Sequence, residues 1–244
     1  MTKALLFPAL LEILYLGFSF ALAQAYGQWS YEGELSRTVL RLLSIFGFIY
    51  FYRKYCYDAK QSLKPKQKFA PPFILAITLF ILFAALYTNA EHETLTWQLV
   101  FGLSGITAGF REELFYRGIV QNSLQKNMHY QKALLITCTL FTLSHIQFIY
   151  YGQASAVMLI TLAGIIFGSI FIYTGSVLFV GAIHGLYDAV LCLNFSPIRL
   201  SNQAALPILL LITLLFFIII SKKPESVTQS DRIDPDNNDS LTTQ

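Results

Sequence analysis

The sequence predicts an all-α fold, a polytopic membrane bundle of about eight transmembrane helices. Three observations predict it. Of the 244 residues, 55% are hydrophobic and 13% charged, with a mean hydropathy of +0.54; a soluble domain carries roughly 25% charged residues. The charges are also bunched: Arg53–Lys68 and Lys222–Asp239 hold fifteen, whereas Ala133–Ser221 holds two, Asp188 and Arg199. No soluble fold exposes so little charge over that length. Finally, eight segments meet or approach the roughly 20 apolar residues that cross a hydrocarbon core about 30 Å thick.

Those segments are 4–25, 36–52, 70–89, 97–124, 133–152, 154–174, 176–194 and 203–221. The first ends Ala21-Leu22-Ala23-Gln24-Ala25, which resembles a small-residue processing site. Its apolar stretch exceeds a signal core and is interrupted by Glu12, so it is expected to be a retained anchor. The sixth and seventh segments join through a tight Thr174-Gly175-Ser176 turn. The chain divides into helices 1–3 over residues 1–95, with a basic cytoplasmic loop at 53–69. A core of helices 4–8 follows over 96–221, and then a polar tail over 222–244 expected to be disordered in the cytoplasm.

Lys and Arg placement sets the orientation. With the N-terminus in the cytoplasm, inner segments carry twelve basic residues: Lys3, six from Arg53 to Lys68, Lys126, Lys132, Lys222, Lys223 and Arg232. Outer segments carry Arg37 and Arg199, while Arg41, Arg111 and Arg117 lie within spans. Arg37 and Arg41 are expected to snorkel to the outer surface. Three scattered cysteines, Cys56, Cys138 and Cys192, exclude a disulfide framework or CxxC metal site. Cys138 and Cys192 read as small core hydrophobes. A net charge of +3 without a basic aromatic face gives no support for nucleic-acid binding, and Leu241-Thr242-Thr243-Gln244 is no prenylation signal. Tyr15, Tyr26, Trp29, Tyr31, Tyr87 and Trp97 read as interface aromatics. His92 and His129 read as solvated loop residues.

Ionisable groups inside a bilayer cost several kcal/mol and are functional candidates by default. Here they are Arg111, Glu112, Glu113 and Arg117 on helix 4, His145 on helix 5, and His184 and Asp188 on helix 7. Glu113 and Arg117 are spaced for an intrahelical ion pair, acid first, and read as structural. Glu112 points about 100° away from that pair and is left unexplained; Arg111 either neutralises it or lines the site. His184 and Asp188 share one helix face. Glu112, His145 and Asp188 each lie twelve residues from the cytoplasmic end of their span and His184 eight, a depth of about 12–18 Å. Helices of alternating direction thus place four polar groups in one layer. Phe141 reads as packing that shapes the pocket beside His145.

A Glu and a His meeting in a wet intramembrane pocket can deprotonate water, and a His with a protonated carboxyl can donate to an oxyanion. That chemistry is peptide hydrolysis. Serine chemistry is disfavoured: GxSxG is absent, and Ser144 points about 100° from His145 on a continuous helix. No cofactor is expected, although Glu112, His145 and His184 are the residues that would hold zinc if a metal were used.

Glu112-Glu113-x-x-x-Arg117, Phe141-x-x-x-His145 and His184-x-x-x-Asp188 together resemble the three-motif pattern of the CPBP family. These are CAAX proteases and bacteriocin-processing enzymes related to the type II CAAX prenyl endopeptidase, and are glutamic intramembrane endopeptidases. The likeness spans about residues 104–192. It implies that Glu112 and His145 activate water, that His184 and Asp188 stabilise the oxyanion, and that Glu113 and Arg117 support helix 4. The family's last motif position is Asn or Asp, and an Asp donates only when protonated. The implied partners are the lipid bilayer and a membrane-anchored peptide or protein, cut near the cytoplasmic half of the membrane. The compact chain suits a bacterial inner membrane. A non-catalytic scaffold or immunity protein of the same family is the alternative. A transporter or proton relay is weaker still, because the paired broken helices of such folds are not visible.

Overall fold

The structure, a computed structural model, describes residues 2–27, 30–56, 65, 68–87, 94–193 and 200–222. Trp29, His92, Arg199, the tail from Lys223 and most of the 53–69 connection lie outside the described residues, as does the side chain of Cys56.

Among those residues the chain is all helical. α1 is Thr2–Tyr26, α2 Tyr31–Phe51 (continued by a π-helical turn, Tyr52–Cys56) and α3 Pro71–Tyr87. α4 runs Leu95–Glu113, passes into π-helix over Leu114–Gln121, and ends in an α turn, Asn122–Gln125. α5 is Tyr130–Ser144, followed by a short turn of helix, Gln147–Tyr150. α6 is Ala154–Thr174, α7 Val177–Cys192 and α8 Asn202–Ser221. Five stretches are long and apolar enough to cross a membrane: Leu5–Tyr26, Tyr31–Lys54, Tyr130–Tyr150, Ala154–Thr174 and Gln203–Ser221. α3 and α7 are shorter apolar helices. The protein is an integral membrane helical bundle.

Short connections make successive helices antiparallel. α1, α3, α5 and α7 run from one end of the bundle to the other, and α2, α4, α6 and α8 run back. At the starting end, Ala70 donates its N–H to the Tyr173 hydroxyl at 3.2 Å and the rings of Phe69 and Phe179 lie 4.9 Å apart. We call this the basic end, because the Lys- and Arg-rich connection follows α2 there. At the far end Gln24 donates to the Tyr151 hydroxyl at 3.0 Å, and the hydroxyls of Tyr31 and Thr94 are 3.2 Å apart.

Two boundaries differ from expectation, each for a local reason. α2 starts at Tyr31 rather than near 36 because Ser30 caps it, its hydroxyl accepting from the Gly33 N–H at 3.1 Å. The fifth span is not continuous: α5 stops at Ser144, and His145 sits at φ −105°, ψ 8°. There the Ser144 hydroxyl and His145 Nδ1 both bond the Phe141 carbonyl, at 2.7 and 2.8 Å, so side chains compete for a helical acceptor.

The seam that matters most joins α4 and α7. A Cβ on Gly109 would lie 2.5 Å from the Gly185 nitrogen, and one on Gly105 would lie 2.8 Å from Cβ of Asp188. Small residues at intervals of four let membrane helices approach to backbone contact. That contact holds the carboxylates of α4 against the histidine and aspartate of α7.

Candidate active site

α4 supplies two adjacent glutamates that face different ways. Glu113 is fully buried. Its Oε2 lies 3.0 Å from Arg117 Nε, and its Oε1 accepts from His184 Nδ1 at 2.8 Å. The pair with Arg117 is present as expected, but it is not self-contained, because Glu113 also fixes the ring of His184 across the α4–α7 seam. Arg117 reaches the Gly164 carbonyl at 3.0 Å and lies 5.3 Å from the Phe141 ring centroid, so it links α4 to α6 and α5.

Glu112 opens onto a cavity. One carboxylate oxygen is 3.9 Å from His145 Nε2 and the other 3.9 Å from His184 Nε2. His184 Nε2 is in turn 3.5 Å from Asp188 Oδ2. The four polar groups expected in one layer do meet. Side-chain exposure is 15% for Glu112, 18% for His145 and 26% for Asp188, against 5% for His184. Three of the four therefore face open space, while His184 stacks on Phe167 at 3.9 Å between centroids.

His145 is held by its own chain. Its Nδ1 donates to the Phe141 carbonyl at 2.8 Å and lies 3.1 Å from the Ser144 hydroxyl, which itself donates to that carbonyl. The expectation that Ser144 points away is thus corrected: the helix ends there, and Ser144 helps set the His145 ring. Nδ1 is spent, so Nε2 is the nitrogen presented to Glu112. Phe141 is buried, with its ring 4.7 Å from that of His145 and edge-on to Tyr116 at 5.2 Å.

Several further readings are corrected. Of the two readings of Arg111 the second holds: it lines the cavity, but its guanidinium turns from Glu112 to Glu12 on α1, bonds Ser44 on α2 at 3.2 Å and stacks 3.3 Å above the Tyr15 ring. Glu12 also accepts from the Tyr116 hydroxyl at 3.1 Å. Tyr15 is accordingly a buried partner rather than an interface aromatic. Arg37 and Arg41 do not snorkel. Both turn inward to Glu34, at 2.5 and 2.6 Å, and Arg41 and Glu34 each bond Ser104 on α4. Cys138 is buried, whereas Cys192 lines the cavity. Exposed His129 caps α5 through Gln131 N–H.

The cavity has a volume of about 870 Å³, within the range of ligand pockets. Glu112, His145, His184 and Asp188 line it together with Glu34, Arg37 and Arg41. A segment beginning at 36 leaves out Glu34, the carboxylate that draws the two arginines together. Begun at Ser30, it puts Glu34, Arg37 and Arg41 on one helical face. No group of three or more His, Cys, Asp and Glu side chains among the described residues is arranged to hold a metal ion.

Residues 93–190 match the family model described as type II CAAX prenyl endopeptidase Rce1-like. The matched segment is similar to that family, and the rest of the chain lies outside the match. It takes in nearly all of α4 to α7, and so every residue of the Glu112 layer. The Rce1-like family is a protease family. No curated protein and no solved structure matches the chain.

Proposed function

We propose that the protein is a glutamic intramembrane endopeptidase, hydrolysing a peptide bond of a membrane-associated or lipidated polypeptide. The observation that carries this reading is the convergence of Glu112, His145 and His184 at 3.9 Å on one cavity wall, inside a domain that matches a protease family. A gap of 3.9 Å is too long for a direct hydrogen bond, yet one water can touch both Glu112 and His145 at about 2.8 Å from each.

In this mechanism the water donates to Glu112 and to His145 Nε2, free because Nδ1 is committed to Phe141. Its oxygen attacks the scissile carbonyl carbon as its proton passes to Glu112. The new oxyanion accepts from Nε2 of His184, protonated on both ring nitrogens since Nδ1 donates to Glu113, and from Asp188 in its protonated form; the two lie 3.5 Å apart and face the same space. The proton held by Glu112 then moves to the leaving amine as the C–N bond breaks. Glu113 holds His184 by Nδ1 and so keeps Nε2 on the oxyanion side. Arg117 and Phe141 support that arrangement. No step needs a metal, and activity is expected to survive chelators; near-stoichiometric zinc in the purified protein would overturn the glutamic mechanism.

The twelve basic residues assigned to one side support an N-terminus and tail in the cytoplasm, and the compact chain with short loops suits a bacterial inner membrane. Glu112→Gln serves as the test. It is expected to abolish cleavage, leave the protein folded in detergent, and trap substrate for mass spectrometry. Wild-type cleavage by Glu112→Gln would sink the proposal.

A further inference from the structure

Among the described residues the cavity runs from the Glu112 layer to the far end of the bundle. On α4 its wall runs from Glu112 and Arg111 back through Gly105 to Phe101 and Trp97, towards the far end. On α1 it takes Ser19 and Ala23, and on α2 Glu34 and Arg37, again the far-end halves of those helices. Tyr151 and Gln153, in the far-end turn between α5 and α6, complete the mouth. Among the described residues the wall reaches towards the basic end no further than Phe141 and Phe167, about one turn beyond His145 and Ala163. There Ile119, Gln121, Leu134, Ile170 and Val180 are all at most 1% exposed, and a Cβ on Gly168 would lie 2.2 Å from Leu134. The half of the bundle nearest the basic loops is closed by packing.

The charges agree with the shape. Ionisable side chains inside a membrane face water-filled cavities, and Glu34, Arg37 and Arg41 sit on the far-end wall, one anion against two cations. From Trp97 to Glu112 the path follows fifteen residues of α4, about 22 Å, enough for about six residues of extended polypeptide.

Resting on the endopeptidase reading and on the orientation set by the basic residues, we infer that substrate reaches Glu112 from the extracytoplasmic side. The substrate class is then an extended segment of an exported or membrane-anchored polypeptide displayed on the outer surface. Among the described residues no open route leads a cytoplasmic chain end through the basic end.

The test is side-specific thiol labelling in intact spheroplasts. In a background with Cys56, Cys138 and Cys192 replaced by Ala, a cysteine is placed at the mouth (Ser155→Cys, or Gln153→Cys as a second variant). A control cysteine is placed at the basic end (Lys126→Cys). A membrane-impermeant maleimide is expected to label both mouth variants from outside and to lower cleavage at least tenfold, whereas Lys126→Cys labels only after permeabilisation. Mouth cysteines that react only after permeabilisation, or from neither side, overturn the inference. Because labelling needs no turnover, the two readings separate. Outside labelling of a protein that cleaves nothing sinks only the peptidase; cleavage with cytoplasmic-side labelling sinks only the route.

Discussion

Gly109→Ala puts the α4–α7 seam to a direct test. The added Cβ would lie 2.5 Å from Gly185 N, 2.8 Å from Gly185 Cα and 2.9 Å from the His184 carbonyl carbon. Non-bonded carbons rest at about 3.5–4.0 Å, so α4 and α7 must part by about 1 Å. The obstacle is backbone and cannot swing aside. Glu113 and His184 lie one turn or less from the contact, and their 2.8 Å hydrogen bond would open past the limit of about 3.2 Å. Overpacking of this kind costs about 1–3 kcal/mol, and a 1 Å misplacement of catalytic groups can cost about 100-fold in rate. The measurements are turnover of the trapped substrate and the denaturation midpoint in mixed micelles. Gly17→Ala, where an added Cβ meets nothing within 4 Å, is the reference and is expected to change neither. Gly109→Ala with wild-type turnover and stability would refute the claim that this close approach sets the site.

The neighbouring glutamates are expected to behave oppositely. Glu113→Gln removes a charge buried against Arg117 and His184, and should cost about 3–5 kcal/mol of stability, read from the same denaturation curve. Glu112→Gln should shift that curve by less than about 1 kcal/mol, because Glu112 is partly exposed and makes no direct hydrogen bond within 3.5 Å to either histidine, while abolishing turnover. Equal destabilisation by the two would reverse their assignments. Phe167→Ala removes the ring stacked on His184 and should destabilise by about 3–5 kcal/mol; an unchanged midpoint would show that the stack carries no packing energy. Glu34→Gln takes the carboxylate shared by Arg37 and Arg41 and should likewise cost several kcal/mol, a figure that two surface arginines would not produce.

Apolar segment length was enough to place the helices to within a few residues, since crossing a bilayer fixes both length and composition. The common depth of Glu112, His145, His184 and Asp188 was also legible, because depth along a straight helix is arithmetic. What escaped was set by contacts between helices. Glu32 and Glu34 depress the hydropathy at the start of α2, so a window average trims away the turn that carries them. Arg111 choosing Glu12 over its chain neighbour Glu112 depends on how α1 lies against α4. Glu113 holding His184 depends on how closely Gly109 meets Gly185. The break at His145 comes from two side chains sharing one carbonyl, which no periodicity announces.

The ion pairs of α4 also bear on how the protein reaches its membrane. Arg111, Glu112, Glu113 and Arg117 fall within three turns of one helix, and at roughly 2.5–3.5 kcal/mol for each charge near a span centre α4 inserted alone would be opposed by about 10 kcal/mol. α1 and α2 are made first, and they carry Glu12, Ser44 and Tyr15, the groups that receive Arg111. α4 is therefore expected to leave the translocation machinery sideways onto a hairpin already waiting with its partners. Biogenesis and the proposed catalysis then share the same few polar contacts, and a substitution at Glu12, well away from the Glu112 layer in sequence, would first appear as protein that never settles in the bilayer.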